Sequence, residues 1–276
     1  MRADLHIHSH FSDGAFSPRE LFGMAKQKGI EMMSITDHDI ALCEEENYAA
    51  AEALGMLYIP GIEFTCYDGE QIHILGYSYK RTPAFCAVME QMTEHRKVRN
   101  GKILKKLEAL GIYLNESEID RNHIGLYGTV QIVRQIVRQG YETDYLYAMK
   151  KYFTEGALAY VGENRMAPKD AVSIIKAAGG VAVWAHPGYT KLMSDRKKES
   201  LIRHLKDFGL DGIESHYFRH TEKETELYCS WAKKYHLIST VGSDFHGEER
   251  REILGVPAHD LTAAEVDFLC KKRSDW

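Results

Sequence analysis

Short apolar runs that end in a histidine or a carboxylate recur along this chain, and they constrain its architecture more than any other feature. His38 follows Glu31-Met32-Met33-Ser34-Ile35, and Glu63 follows Met56-Leu57-Tyr58-Ile59-Pro60. His186 follows Val181-Ala182-Val183-Trp184, while Asp244 and His246 follow Leu237-Ile238-Ser239-Thr240-Val241. Each run has the length and composition of a strand. Stretches of helical pattern separate them, which implies parallel strands joined by helical crossovers. Sheets and barrels of that kind carry their chemistry at the C-terminal rim of the strands. A scatter of structural histidines would have no reason to choose one rim.

The opening strand, Arg2 to His8, fits the same scheme. Ala3, Leu5 and Ile7 alternate with Asp4, His6 and His8, so His6 and His8 share a face. Ser17-Pro18-Arg19-Glu20 reads as a helix start, with Ser17 as N-cap, Pro18 in the first turn and Glu20 closing a capping box. Gly29 is its natural stop. A second helix spans about Glu44 to Leu54, and Gln71 to Tyr77 reads as a strand with His73 in its middle. From Thr82 to Tyr160 the apolar positions recur only at helical spacing, through Met89, Met92, Ile103, Leu104 and Leu107, then Val130 to Val137 and Tyr145 to Met149. The expected organisation is a discontinuous barrel domain, 1–81 and 161–276, carrying a helical insertion domain at 82–160. Helices and strands alternate again after the insertion, the last helix running from about Thr262 to Lys272.

At 276 residues the chain can form one large α/β barrel or a core with an insertion. A formal net charge of −5 argues against a basic coat for nucleic acid, while allowing a local basic pocket for one or two phosphates. No run is long enough to span a membrane, and the start lacks the charged and apolar segments of a secretory signal. The five cysteines (Cys43, Cys66, Cys86, Cys229 and Cys270) are scattered and form no CxxC pair, which suits reduced thiols. A cytoplasmic protein with no obligate protein partner is expected.

Nine residues present themselves as metal ligands: His6, His8, Asp13, His38, Glu63, His73, His186, Asp244 and His246. Imidazoles and carboxylates without thiolates suit zinc, manganese or iron, and differ from a structural zinc finger. Nine are too many for one ion, so two or three divalent ions sharing bridging groups are expected, with positions open to water and substrate. Taken singly, His73 reads as a strand histidine, and His186-Pro187 as a turn. Asp37 and Asp39, flanking His38, read equally as capping or supporting groups. Asp244-Phe245-His246 repeats the spacing of His6 and His8.

Taken together, His6-x-His8 with Ser12-Asp13-Gly14, Thr36-Asp37-His38-Asp39, Gly61-Ile62-Glu63, His73-Ile74-Leu75-Gly76, Ala185-His186-Pro187 and Gly242-Ser243-Asp244-x-His246 closely resemble the motifs of the PHP (polymerase and histidinol phosphatase) family. The resemblance runs in order over most of the chain and favours the stand-alone phosphoesterases with a helical insertion. It implies an α/β fold, a distorted seven-stranded (β/α)7 TIM-like barrel with an inserted all-helical subdomain, and a trinuclear centre. One ion would take His6, His8, Glu63 and Asp244; a second Asp13, His38 and His246; a third His73 and His186 with Glu63 as bridge. Every position of that pattern is filled, which favours an enzyme over a metal-stabilised binding module.

Clustered divalent ions suit hydrolysis of a phosphate ester, with a metal-bridging hydroxide attacking phosphorus. Asp13 and Glu63 are the expected catalytic ligands, and Asp37, His216 or His220 could protonate the leaving oxygen. His95-Arg96-Lys97-Val98-Arg99 is basic, and Arg96 and Arg99 can share a helix face. The resemblance raises Arg99 and Arg134 as phosphate-binding residues, because a guanidinium can fork onto two phosphate oxygens. Gly128-Thr129-Val130-Gln131 stands where many relatives have Gly-Arg-Pro-His, and Thr154-Glu155-Gly156-Ala157-Leu158 where they often have Gly-Glu-Gly-Lys-Pro. The leading expectation is hydrolysis of a small phosphorylated metabolite, such as adenosine monophosphate or a 3′,5′-nucleotide bisphosphate. The alternatives are a cyclic sugar phosphate or short RNA trimmed from its 5′ end.

Overall fold

The computed structural model describes residues 1–41, 44–119, 127–162, 165–247 and 252–270. Strand β1 (Arg2–Ile7) leads through α1 (Pro18–Gln27) to β2 (Met32–Ile35), and α2 (Glu44–Ala53) leads to β3 (Leu57–Tyr58). The start of α1 follows from its sequence. Ser17 and Glu20 exchange side-chain and backbone hydrogen bonds as a capping box, and Leu21, Phe22 and Ala25 supply the buried face. Strands β4 (Gly61–Tyr67) and β5 (Gln71–Tyr77) come next, followed by α3 (Pro83–Ala109), α4 (Thr129–Arg138) and α5 (Tyr145–Tyr152). The second half alternates α6 (Pro168–Ala177), β6 (Val181–Trp184), α7 (Asp195–Asp207), β7 (Gly212–Tyr217), α8 (Glu222–Lys234) and β8 (Ile238–Gly242). Strand β9 (His259–Asp260) and α9 (Ala263–Cys270) close the chain; Cys43 and the expected helix end at Lys272 lie outside the described residues.

The strands of the described residues form two hydrogen-bonded sheets, ordered β3-β2-β1-β9 and β4-β5-β6-β7-β8, and not one closed seven-stranded ring. They are not all parallel either. Gly61-Ile62-Glu63, read from the sequence as the exit of the third strand, opens β4, which runs on to Tyr67. Only Asp68, Gly69 and Glu70 separate β4 from β5, with Gly69 in the left-handed region at φ 77°. Three residues can turn a hairpin but cannot carry a helical crossover. β5 therefore returns antiparallel beside β4, and β6 is antiparallel to β5.

The two sheets meet at one rim through backbone hydrogen bonds. The Asp244 amide donates to the His6 carbonyl (2.8 Å), and the His8 amide to the Phe245 carbonyl (2.9 Å). The Asp39 amide donates to the Glu63 carbonyl (2.9 Å). Below the rim, Leu5, Leu75, Val183 and Val241 pack between the sheets. Each such side chain contributes about 1.5–3 kcal/mol by leaving water. Tyr77 satisfies its buried hydroxyl on the Leu5 carbonyl (2.9 Å). The helices between residues 82 and 160 bury a core of their own, including Ile103, Leu107, Ile132, Ile136 and Tyr152. Two side chains tie them to the rim: Arg96 donates to the His38 carbonyl (3.0 Å) and Gln131 to the Ser12 carbonyl (2.7 Å).

Candidate metal centre

The period of β1 turns His6 and His8 the same way, and the structure brings their Nε2 atoms to 3.1 Å of each other with both rings buried. Glu63 lies at the middle of the cluster. Its Oε2 stands 3.2 Å from Nε2 of His6 and of His8, and 3.1 Å from Nδ1 of His38. Its Oε1 stands 2.7 Å from Nδ1 of His73 and 3.2 Å from Nε2 of His186. Asp244 Oδ1 is 3.1 Å from His8 Nε2, and Asp13 Oδ1 is 3.3 Å from His246 Nε2. The His8 and His246 rings stack with centroids 4.0 Å apart. All nine residues singled out from the sequence therefore converge.

The antiparallel course of β5 explains how His73 joins them. Because β5 runs away from the rim, its third residue lies where the rim residues of β6 end. The His73 carbonyl accepts the Ala185 amide (3.0 Å), which sets His186 beside it. Local strain accompanies the site: His186 has φ 27° and Asp244 φ 54°, both in a region that non-glycine residues rarely occupy.

Candidate ligand atoms fall into overlapping groups, each within 4.8 Å: His6, His8, Glu63 and Asp244; His8, Asp13, His38 and His246; His38, Glu63 and His73; and His6, His186 and Glu214. This donor set fits divalent cations. His8 Nδ1, His246 Nε2 and Glu63 Oε2 are buried, and although charged neighbours stand close, none meets them in hydrogen-bond geometry, so each is left with a lone pair or proton to satisfy. The charges point the same way. Burial opposes ionisation of His8, yet Asp244 and Glu63 outweigh it and raise its pKa to about 10. Burial, together with neighbouring His8 and His73, takes His38 down to about 3, although Glu63 and Asp13 pull the other way. Against their own burial, Asp13, Glu63 and Asp244 are held well below the usual carboxylate range by the surrounding imidazoles. Protons here neutralise charge that cations can neutralise instead.

Carboxylates that sequence reasoning missed hold this arrangement in place. Glu214, fully buried in β7, lies 3.0 Å from His6 Nδ1 and accepts the His186 amide at 2.8 Å. Asp4 accepts the amides of Ser243 (2.9 Å) and Gly255 (2.8 Å), fixing the segment that carries Asp244 and His246. Each is an acid flanked by apolar residues in a short strand, Asp4 between Ala3 and Leu5 and Glu214 after Ile213, which was the available signal. Tyr217 donates to Asp244 Oδ2 (3.1 Å).

The candidate proton donors are placed differently from expectation. Asp37 accepts the Ser9 amide (2.8 Å) and the hydroxyls of Ser9 (2.6 Å) and Ser12 (2.5 Å), so it fastens the loop that delivers Asp13. His216 contacts none of the nine. Glu214 pairs with Thr240 while His216 pairs with Val241, so β7 carries an extra residue there. That bulge breaks the two-residue period and turns His216 onto His259, with ring centroids 3.6 Å apart. His220 donates from Nδ1 to the Ser215 carbonyl (3.0 Å) and accepts the Gly188 amide on Nε2 (3.1 Å), which commits both ring nitrogens to the backbone.

Among the insertion arginines, Arg99 donates to the Val161 carbonyl (3.3 Å) and the Thr129 hydroxyl (3.0 Å), joining α3 to α4. Arg134 is half-buried on α4, three residues from Gln131, which reaches the opening loop. Arg96 reaches the rim itself, where it also meets Asp39 Oδ2 at 3.3 Å.

An α/β scaffold that gathers six imidazoles and three carboxylates at one rim offers the donor set of a metal-dependent hydrolase. A model of the PHP domain matches residues 4–200. A 5′-3′ exoribonuclease from Haemophilus influenzae is 33% identical over 253 residues, covering 88% of this chain and 89% of its own. A 3′,5′-nucleoside bisphosphate phosphatase from Chromobacterium violaceum is 32% identical over 264 residues, covering 91% and 90%. The solved structure of an amidohydrolase from Chromobacterium violaceum, with bound sulfate and no metal, superposes with a TM-score of 0.85 at 29% identity, over 99% of this chain and 97% of that one. The chain belongs to the PHP domain family and is a metal-dependent phosphoric ester hydrolase. No helix among the described residues is long and apolar enough to cross a membrane.

Proposed function

We propose that the protein removes phosphate from a small nucleotide, a phosphomonoester such as adenosine monophosphate or a 3′,5′-nucleotide bisphosphate. The observation that carries this reading is the convergence of five imidazole rings on the single carboxylate of Glu63, beneath a helix that sends Arg96 to the same rim. The similarity to the bisphosphate phosphatase supports it. Two or three divalent ions, manganese, iron or zinc, would be held by His6, His8, Glu63 and Asp244, by Asp13, His38 and His246, and by His73 and His186 with Glu63 shared. When bound, such ions make water nucleophilic near neutral pH and neutralise charge on the phosphoryl oxygens.

The chain's own residues do the rest. Glu214, by accepting a hydrogen bond from His6 Nδ1, would leave Nε2 as the atom that binds a cation. Asp37 keeps the loop before Asp13 in place. The helices of 82–160 act as the substrate-facing insertion on the scaffold formed by 1–81 and 161–276, a distorted barrel in this reading. Arg134 and Arg99 meet the phosphate from above, with Arg96 steadying the rim.

Removal of nucleotides from the 5′ end of short RNA is a second reading, favoured by the similarity to the exoribonuclease. Manganese-loaded protein should release inorganic phosphate from the mononucleotides. Release of mononucleotides from 5′-phosphorylated RNA, with none of the monoesters cleaved, would replace the first reading by the second. No turnover of any phosphoester at full metal occupancy would sink both.

A further inference from the structure

An aromatic side chain stands beside the centre with no part in holding it. Tyr189 ends the 3-10 turn Pro187–Tyr189, three residues after His186, and is 49% exposed. Its ring centroid lies 5.5 Å from that of His186 at 67°. The mounting is rigid. The Tyr189 amide donates to the His186 carbonyl (2.8 Å), the Thr190 hydroxyl to the Pro187 carbonyl (2.5 Å), and His220 holds the intervening Gly188 amide. A large ring fixed at a buried polar site, with half its surface in water, offers a face to a flat partner.

The far side of the same subsite continues in polar and aromatic groups. In the antiparallel ladder of β4 and β5, Thr65 faces His73 and Tyr67 faces Gln71, so one face climbs from the buried floor to exposed Tyr67. Gln71 Nε2 lies 2.6 Å from His73 Nε2, and Arg165 donates to Gln71 Oε1 (3.1 Å) while its guanidinium sits 6.0 Å from the centre of the Tyr67 ring. An unbroken line of contacts thus runs from Tyr189 through His186, His73 and Gln71 to Arg165.

We propose that Tyr189 is the platform on which the substrate's nucleobase stacks, opposite a hydrogen-bonding edge made by Gln71 and Arg165. This rests on the nucleotide phosphatase reading and specifies which side of the centre receives the base. Stacking on a tyrosine suits any base, because every base has a π face, while the amide and guanidinium supply donors to its edge. The phosphate then lies over the metal floor and the ribose spans the gap to Tyr189.

The test compares adenosine 5′-monophosphate with ribose 5-phosphate, which carries the same phosphate without a base. Tyr189→Ala should raise KM for the nucleotide about tenfold, as expected for loss of one stacked base, and leave KM for ribose 5-phosphate unchanged. Tyr189→Phe should behave as the parent on both. A KM that rises equally for both substrates, or for neither, would overturn the platform. Binding is read separately, by saturation transfer from the protein to the adenine protons of the nucleotide. The signal should be strong in the parent and in Tyr189→Phe and clearly reduced in Tyr189→Ala; an undiminished signal in Tyr189→Ala would also overturn the platform. Absence of turnover with both substrates would instead count against the phosphatase reading, and the binding comparison still decides the role of Tyr189.

Discussion

Glu214 and His6, 208 residues apart in the chain, meet inside the protein with Oε1 3.0 Å from Nδ1. A carboxylate on Nδ1 favours a proton there, so Nε2, which faces Glu63, His8 and Asp244, is the nitrogen left to bind a cation in place of its proton. Its second oxygen holds the His186 amide, which couples two parts of the centre through one residue. Glu214→Ala should weaken manganese binding about 10- to 100-fold, as loss of such a supporting partner does elsewhere, with Glu214→Gln less affected. Metal titration of chelator-treated protein measures this, and unchanged affinity in both variants would refute the role.

Gly242 makes that meeting possible. A Cβ at this position would collide with the Cβ of His6 and with Oε1 of Glu214. Gly242→Ala should therefore lower stability by about 1–3 kcal/mol, the usual cost of overpacking, and reduce metal content in step. Denaturant melts of the metal-free protein separate the two effects. A variant with parental stability and parental metal content would remove the steric argument.

His216 gives a pH dependence of stability away from the nine candidate ligands. Burial and the facing His259 lower its pKa to about 4, against 6.5 unfolded. The unfolded chain binds the proton more readily, so the contribution of His216 is complete above about pH 6.5 and falls as pH drops toward 4. Its half-buried position limits the size of the effect. His216→Phe keeps a ring against His259 and should shrink the loss in Tm between pH 7 and pH 5. An unaltered difference would show that other groups carry the acid sensitivity.

Arg134 and Arg99 separate contact with substrate from support of the insertion. Arg134→Ala should raise KM for a charged substrate about tenfold with kcat little changed, the pattern of lost ground-state binding. Arg99→Ala should lower Tm as well, because it removes the links from α3 to Val161 and Thr129. Steady-state kinetics and thermal melts on the two variants test both, and a parental KM in Arg134→Ala would exclude that residue from the pocket.

Asp13→Ala should abolish turnover while leaving the far-UV circular dichroism intact. Asp13 Oδ1 approaches His246 Nε2, and the largely buried loop beyond β1, fastened by Asp37, delivers it. Unchanged turnover would refute its proposed role as a ligand.

The local chemistry of this chain was legible without a fold. The spacing of His6 and His8 on a strand, the capping box at Ser17 and the purely helical periodicity after Thr82 all depend on neighbours within a few residues, and a sequence records those directly. The rim placement of His38, His186, Asp244 and His246 followed from where their strands end. Tertiary structure alone decided how distant groups reach the site and which carboxylates support it. A three-residue turn reversed β5 and carried His73 to the rim; a one-residue bulge turned His216 away from it while leaving Glu214 inside. Each choice depends on hydrogen-bond pairing between strands far apart in sequence. A shift of one residue in that pairing exchanges the faces of a strand, and no local pattern records it.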